Sequence, residues 1–260
     1  MQRLGQHFLK DKKVLAHIAR AIKPNSVKTI IEIGPGHGEL TTELLKENPK
    51  SKIISLERDT KLAEAFTKKF SDTNASLYFG NALETLTEVV DKKTEGEYAV
   101  IGNIPYYITG FLFRILGELK NKPQKIVLLI QKEVAERVTA QEPAMNRLAA
   151  SDQFWGKPEI ILTVPPGAFS PPPKVHSALI TITPEKKKPV ISPEKYHEAV
   201  RLLFAQPRKT VLNNLSVDLS KEKATELLQK LSISPQSRPQ NLSIQEIIEI
   251  TQTIFPKQGA

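Results

Sequence analysis

The sequence predicts an α/β fold, a mostly parallel sheet covered by helices on both faces, followed by a small all-helical domain. Three observations carry this reading. Short β-rich apolar runs alternate with helical patterns from residue 28 to residue 183, the signature of a parallel sheet buried on both sides. The stretch Pro184-Glu185-Lys186-Lys187-Lys188-Pro189 then breaks the alternation. Beyond it come only helical patterns. The 260 residues thus divide into a sheet domain, 1–184, and a helical domain, 185–260.

Each element follows from local pattern. Val14, Leu15, Ile18, Ala19 and Ile22 recur at helical spacing, so Lys12–Ile22 is an amphipathic helix. The strand runs are Thr29–Ile33, Lys52–Glu57, Ser76–Phe79, Tyr98–Gly102, Lys125–Ile130, Glu159–Val164 and Ser177–Thr183. The clearest helices between them are Glu39–Glu47, stopped by Asn48-Pro49, then Thr60–Phe70, Gly110–Leu119 and Lys132–Val138. The last two strands lack an evident crossover helix, which predicts an antiparallel edge. After the break, helices are expected at Pro193–Phe204, Arg208–Leu215, Lys221–Leu231 and Ile244–Ile254.

Composition narrows the function. The chain has no Cys, which excludes a disulfide framework, an Fe–S cluster, a thiolate zinc site and a Cys nucleophile. No metal site is expected. No run approaches the ~18 apolar residues of a membrane span, and the N-terminus lacks a secretory h-region. A soluble, cytoplasmic protein without a membrane partner is expected. The net charge is +9, and it is segregated. Residues 1–30 carry +6, residues 31–180 carry −1 and residues 181–260 carry +4. Two basic segments flanking a neutral body suit a polyanion, nucleic acid above all.

The first strand runs into Glu32-Ile33-Gly34-Pro35-Gly36-His37-Gly38-Glu39. Glycines at a strand-to-helix turn let a ligand approach the backbone at the carboxyl end of the sheet. The spacing is not that of the dinucleotide fingerprint, and the Gly-Lys-Ser/Thr of a phosphate loop is missing. The next strand ends in Glu57, able to accept two ribose hydroxyls. The third leads to Asn81, suited to an adenine contact or to capping a helix. Together these ends indicate a nucleoside-bearing cofactor, with a nicotinamide dinucleotide and S-adenosylmethionine both open at this point.

The fourth strand decides between chemistries. It leads into Gly102-Asn103-Ile104-Pro105-Tyr106-Tyr107. Pro105 fixes its own φ and holds Ile104 extended. The turn presents the Asn103 oxygen and nearby carbonyls as acceptors beside the Tyr106 ring. That arrangement suits methylation of an exocyclic amine. An adenine N6 lone pair is delocalised into its ring, and acceptors gripping its N–H bonds free it for in-line attack. A sulfonium donor is already activated, so positioning outweighs general-base catalysis.

Gly5-Gln6-His7-Phe8-Leu9, the Glu32–Gly38 turn, Gly102–Tyr106, Gln131-Lys132-Glu133-Val134, Phe169–Ser177 and Arg208-Lys209-Thr210 resemble the ribosomal RNA adenine dimethyltransferases, the bacterial small-subunit branch most closely. The resemblance spans roughly residues 3 to 250. It implies a Rossmann-like S-adenosylmethionine-dependent methyltransferase sheet. It also implies N6,N6-dimethylation of two adjacent adenosines near the 3′ end of 16S rRNA, by a monomer acting on a small ribosomal subunit precursor. By the resemblance, His7, Leu9, Gly34, Glu57, Asn81 and Asn103 are cofactor-binding, and Asn103, Tyr106 and Phe169 are catalytic. Phe169, ahead of Pro171-Pro172-Pro173, corresponds to an aromatic that stacks on the flipped target base. Residues 185–260 are expected to anchor RNA through phosphates, with Arg201, Arg208 and Lys209 as contacts. The chain departs from the family at Asn81, where Asp is usual, at Tyr107, where Asn is frequent, and in a short 141–151 segment.

Three alternatives compete. A large-subunit rRNA adenine methyltransferase shares the Gly-rich turn and Asn-Ile-Pro-Tyr, but Gly34-Pro35-Gly36 and Arg208-Lys209-Thr210 favour the small-subunit enzyme. A non-catalytic assembly factor is disfavoured by intact Asn103, Tyr106 and Gly34. A nicotinamide oxidoreductase has the wrong glycine spacing.

Overall fold

The structure is a computed structural model that describes residues 7–22, 26–185 and 191–256. Gly5, Gln6 and the Lys186–Pro189 part of the expected linker lie outside the described residues. The chain forms two compact units, Met1–Ala135 with Lys157–Pro184, and Glu136–Gly156 with Glu185–Ala260.

In the first unit, β1 (Phe8–Leu9) precedes α1 (Lys12–Ala21), β2 (Thr29–Ile33), α2 (Glu39–Glu47), β3 (Lys52–Glu57), α3 (Thr60–Lys69), β4 (Ala75–Phe79), α4 (Ala82–Lys93), β5 (Tyr98–Asn103), α5 (Thr109–Glu118) and β6 (Lys125–Gln131). The chain continues through α6 (Lys132–Val138), α7 (Arg147–Gln153), β7 (Gly156–Val164), β8 (Phe169–Ser170) and β9 (Ser177–Pro184). The helices begin where side chains can satisfy orphan N–H groups. Asp11 caps α1 through Lys13 N and Val14 N at 2.9 and 3.2 Å, and Asp59 caps α3 in the same way.

The main sheet has the order β4-β3-β2-β5-β6-β9-β7. Strands β2 to β6 pair in parallel, and β9 pairs antiparallel to β6, as the missing crossover helix predicted. The winding runs outward from β2 through β3 to β4, then restarts at β5 on the other side of β2. The carboxyl ends of β2 and β5 therefore flank a topological switch point, where open α/β sheets bind ligands. Gly102 on β5 lies opposite Ile33 of β2, and a Cβ there would come within 2.6 Å of the Ile33 carbonyl. The close approach of these two strand ends requires glycine.

One face of the sheet buries Ile30, Ile53, Ile101, Val127 and Leu179 against Leu15, Ile18 and Leu44 of α1 and α2. Among the described residues, no helix is long and apolar enough to cross a membrane. Sequence pattern did not single out α4, whose first turn is capped by Asn81, or the ladder between β1 and β8, in which Phe8 faces Ser170 and Leu9 faces Phe169.

In the second unit, α8 (Pro193–Leu203), α9 (Val211–Leu215), α10 (Lys221–Lys230) and α11 (Ile244–Ile254) gather around Tyr196. The Tyr196 ring stacks on Phe154 at 3.9 Å, and its hydroxyl donates to the Ala150 carbonyl at 2.9 Å. Those contacts explain why residues 136–156 pack with this unit and not with the sheet that precedes them in sequence. The expected helix at Arg208–Leu215 is shorter, because Asn214 competes with helical pairing upstream. Its buried amide accepts from Gln206 N at 2.9 Å and donates to the Gln206 and Thr210 carbonyls at 3.1 Å each. Arg208 and Lys209 sit exposed on the loop so held.

Candidate active site

The glycine-rich turn leaves β2 with Gly34, Gly36 and Gly38 all at positive φ. Gly36 also packs against the N-terminal segment. At φ +58°, a Cβ would also stand 2.9 Å from the Phe8 ring, so any side chain meets both backbone strain and a clash. Beneath the turn, Glu32 is wholly buried. Its Oε2 accepts from Thr41 Oγ1 at 2.6 Å and Ser55 Oγ at 2.7 Å, tying α2 and β3 to β2. Burial pushes the Glu32 carboxyl up to about 7, against the opposing pull of the two hydroxyls.

A cleft, partly open to solvent, lies over these strand ends. It is lined by His7, Gly34, Glu57, Asn81, Asn103 and Tyr106 among others. Six of the eight residues expected to bind cofactor or to be catalytic therefore meet at one cleft.

Their hydrogen bonds define what each can do. Glu57 Oε1 accepts from the backbone N–H groups of Arg58 and Asp59 at 2.9 and 3.0 Å. That fixes the carboxylate at the end of β3 and leaves Oε2 for a ligand hydroxyl. Asn103 Nδ2 donates to the His7 carbonyl at 2.8 Å, so Oδ1 is the side chain's uncommitted acceptor. The His7 ring is held in turn, with Nδ1 donating to the Pro171 carbonyl at 2.8 Å. Tyr106 Oη and Ser177 Oγ are hydrogen-bonded at 2.9 Å, which anchors the Tyr106 ring at the cleft.

Three expected residues sit differently. Asn81 lines the cleft, but its side chain caps α4. Oδ1 accepts from Leu83 N at 3.2 Å and Nδ2 donates to Glu84 Oε1 at 2.8 Å. Leu9 is buried in the core and borders only a smaller recess beside Gly34 and Gly36. Phe169 is 1% exposed, packed in the same core and absent from the cleft wall. The ring expected to stack on the target base lies in the core instead. Pairing with Leu9 turns the ring inward, where a large apolar side chain gains most from leaving water.

Sequence reasoning missed Arg58, a cation on the cleft wall, and Phe8, whose ring packs on His37 at 4.5 Å and under Gly36. It also missed Ser177 as the partner of Tyr106. The signals existed, since Arg58 follows Glu57 directly, and Phe8 and Ser177 both belong to motifs already quoted.

Comparison with known proteins gives concordant results. The family model for ribosomal RNA adenine dimethylase matches residues 1–255. Proteins named ribosomal RNA small subunit methyltransferase A are 38% identical over 94% of this chain and 84% of theirs in Dehalococcoides mccartyi strain CBDB1, and 35% identical over 99% and 98% in Acaryochloris marina. A dimethyladenosine transferase from Plasmodium falciparum superposes with a TM-score of 0.78 at 25% identity, covering 94% of this chain and 96% of its own. The 23S rRNA methyltransferase ErmE shares the fold with a TM-score of 0.75 at 22% identity, covering 94% and 98%.

Proposed function

The chain belongs to the ribosomal RNA adenine dimethylase family, and we propose that the strand-end cleft is where it dimethylates N6 of two adjacent adenosines near the 3′ end of 16S rRNA. It is an S-adenosylmethionine-dependent adenine dimethyltransferase of small-subunit ribosomal RNA. The cleft fits this cofactor on its own chemistry. Positive-φ glycines keep the β2 turn free of side chains, and Glu57 Oε2 is oriented for a ribose diol. When bound, the cofactor supplies an electrophilic methyl on a sulfonium.

The single observation that carries the site reading is the fixed amide of Asn103. With Nδ2 committed to the His7 carbonyl and Oδ1 without a partner among the described residues, Oδ1 is left to accept from a group entering the cleft. An adenine N6–H is such a donor, and gripping it favours a pyramidal nitrogen whose lone pair is drawn out of the ring system and freed for attack on the methyl. The Tyr106 ring, braced through Ser177, offers a face for the base. Asn81 would contribute mainly by shaping the wall, because its amide is taken up by the helix cap.

The same reading has the chain working as a monomer, in the cytoplasm, on a small-subunit precursor. Exposed Arg201, Arg208 and Lys209 in the helical unit support phosphate anchoring by that unit. The test is mass spectrometry of unmodified 16S rRNA incubated with the protein and S-adenosylmethionine. Two adjacent N6,N6-dimethyladenosines are expected. Asn103→Ala should slow their formation about 10²–10³-fold, the cost of one transition-state hydrogen bond. Wild-type rates in that variant would remove Asn103 from the chemistry.

A further inference from the structure

The exposed side of α5 is unusual for a surface helix. Leu112, Phe113 and Leu116 bury one side, as expected of an amphipathic segment. The opposite side carries Gly110, Phe111, Arg114 and Glu118, all exposed, and exposed Tyr107 stands just ahead of it in the 3-10 turn Tyr106–Ile108. Tyr107 is 55% and Phe111 64% exposed. A single exposed apolar residue would need no explanation. Here two large exposed aromatic residues stand four positions apart, and the first of them, Tyr107, lines the cleft.

We infer that Tyr107 and Phe111 form a stacking platform that receives the unpaired ribonucleotide next to the target adenosine. The inference rests on the functional reading above, because an adenosine presented to the cleft arrives within a single strand. Its neighbour must lie against the surface beside the cleft, and Tyr107 carries the cleft wall onto this side of α5. Aromatic rings bind unpaired bases by stacking irrespective of sequence, and cations alongside hold the phosphates. Arg114, one turn beyond Phe111, supplies the cation. Its ion pair with Glu118, 3.1 Å long with the side chains 74% and 59% exposed, is of the weak surface kind and does not hold the guanidinium back from a phosphate. The surface beside Phe111 is open, since even a Cβ at Gly110 would meet nothing within 4 Å.

The experiment compares wild type, Phe111→Ala, Phe111→Leu and Phe111→Trp, all full length. The readout is transfer of tritiated methyl groups from S-adenosylmethionine to small subunits carrying unmodified 16S rRNA. Phe111→Ala should raise KM for the RNA about tenfold, the size of one lost base–aromatic stack. It should leave kcat and S-adenosylmethionine affinity unchanged. Phe111→Trp should behave as wild type, and Phe111→Leu should be as poor as Ala. An unchanged KM in Phe111→Ala overturns the inference, and so does full activity in Phe111→Leu, which would mark an apolar contact with protein. A wild-type chain that transfers no methyl overturns the functional reading, and this inference falls with it.

Discussion

Replacing Glu32 with Gln should stabilise the protein against unfolding, and by about 3 kcal/mol more at pH 8 than at pH 4.5. Glu32 is wholly buried and its carboxyl is pushed up to about 7 from 4.5, chiefly by loss of solvation. Oε2 has its two hydroxyl donors, while Oε1 has no partner. Because the folded pKa lies above the unfolded one, the stability this group contributes is fully present below pH 4.5 and is lost as pH rises through about 7. A shift of about 2.5 units corresponds to roughly 3 kcal/mol. Gln keeps the shape and an acceptor for Thr41 and Ser55 but does not titrate. The stability difference between the two proteins should therefore grow from pH 4.5 to about 7 and stay flat above. Asp152, buried in the other unit and also raised to about 7, bends both curves in the same direction, so the difference isolates Glu32. Urea unfolding of both proteins at half-unit pH steps reads it directly. A difference that does not change with pH would refute the argument, because it would mean that Glu32 does not titrate in this range on folding.

Two further outcomes follow from the packing. Gly36→Ala should lower S-adenosylmethionine affinity in calorimetry. The added methyl meets the Phe8 ring at 2.9 Å on a backbone at φ +58°, and the Phe8 segment carries the His7 carbonyl that holds Asn103. Unchanged affinity would separate the turn from the cofactor. Phe169→Ala should cost about 3–5 kcal/mol of stability, as for any large core aromatic. A loss below about 1 kcal/mol in urea unfolding would mean that the ring is not a core residue in solution and would return it to the cleft.

Much of this molecule was legible in its residues, and the reasons are local. Alternating apolar runs and caps such as Asp11 and Asp59 act within a few positions, so Thr29–Ile33, Lys52–Glu57 and Glu39–Glu47 could be read directly. The strand-end groups were legible too. In a parallel sheet wound outward from one strand, every βα turn opens on the same edge, which brings Gly34, Glu57 and Asn103 to one cleft. Tertiary structure alone decided what depends on partners distant in sequence. Phe169 pairs with Leu9, 160 positions earlier, and that pairing turns its ring into the core. Residues 136–156 follow Tyr196 and not the preceding sheet, because their Phe154 needs that ring to cover it. Asn81 reads equally well as a cap or a ligand until Glu84 and Leu83 take up its amide. Phe111 looks in sequence like any apolar helix position, and only the packing of Leu112, Phe113 and Leu116 settles which side of α5 faces water. Periodicity states that a helix has two faces, while the choice of the buried one is made by the rest of the chain through the apolar area it removes from solvent.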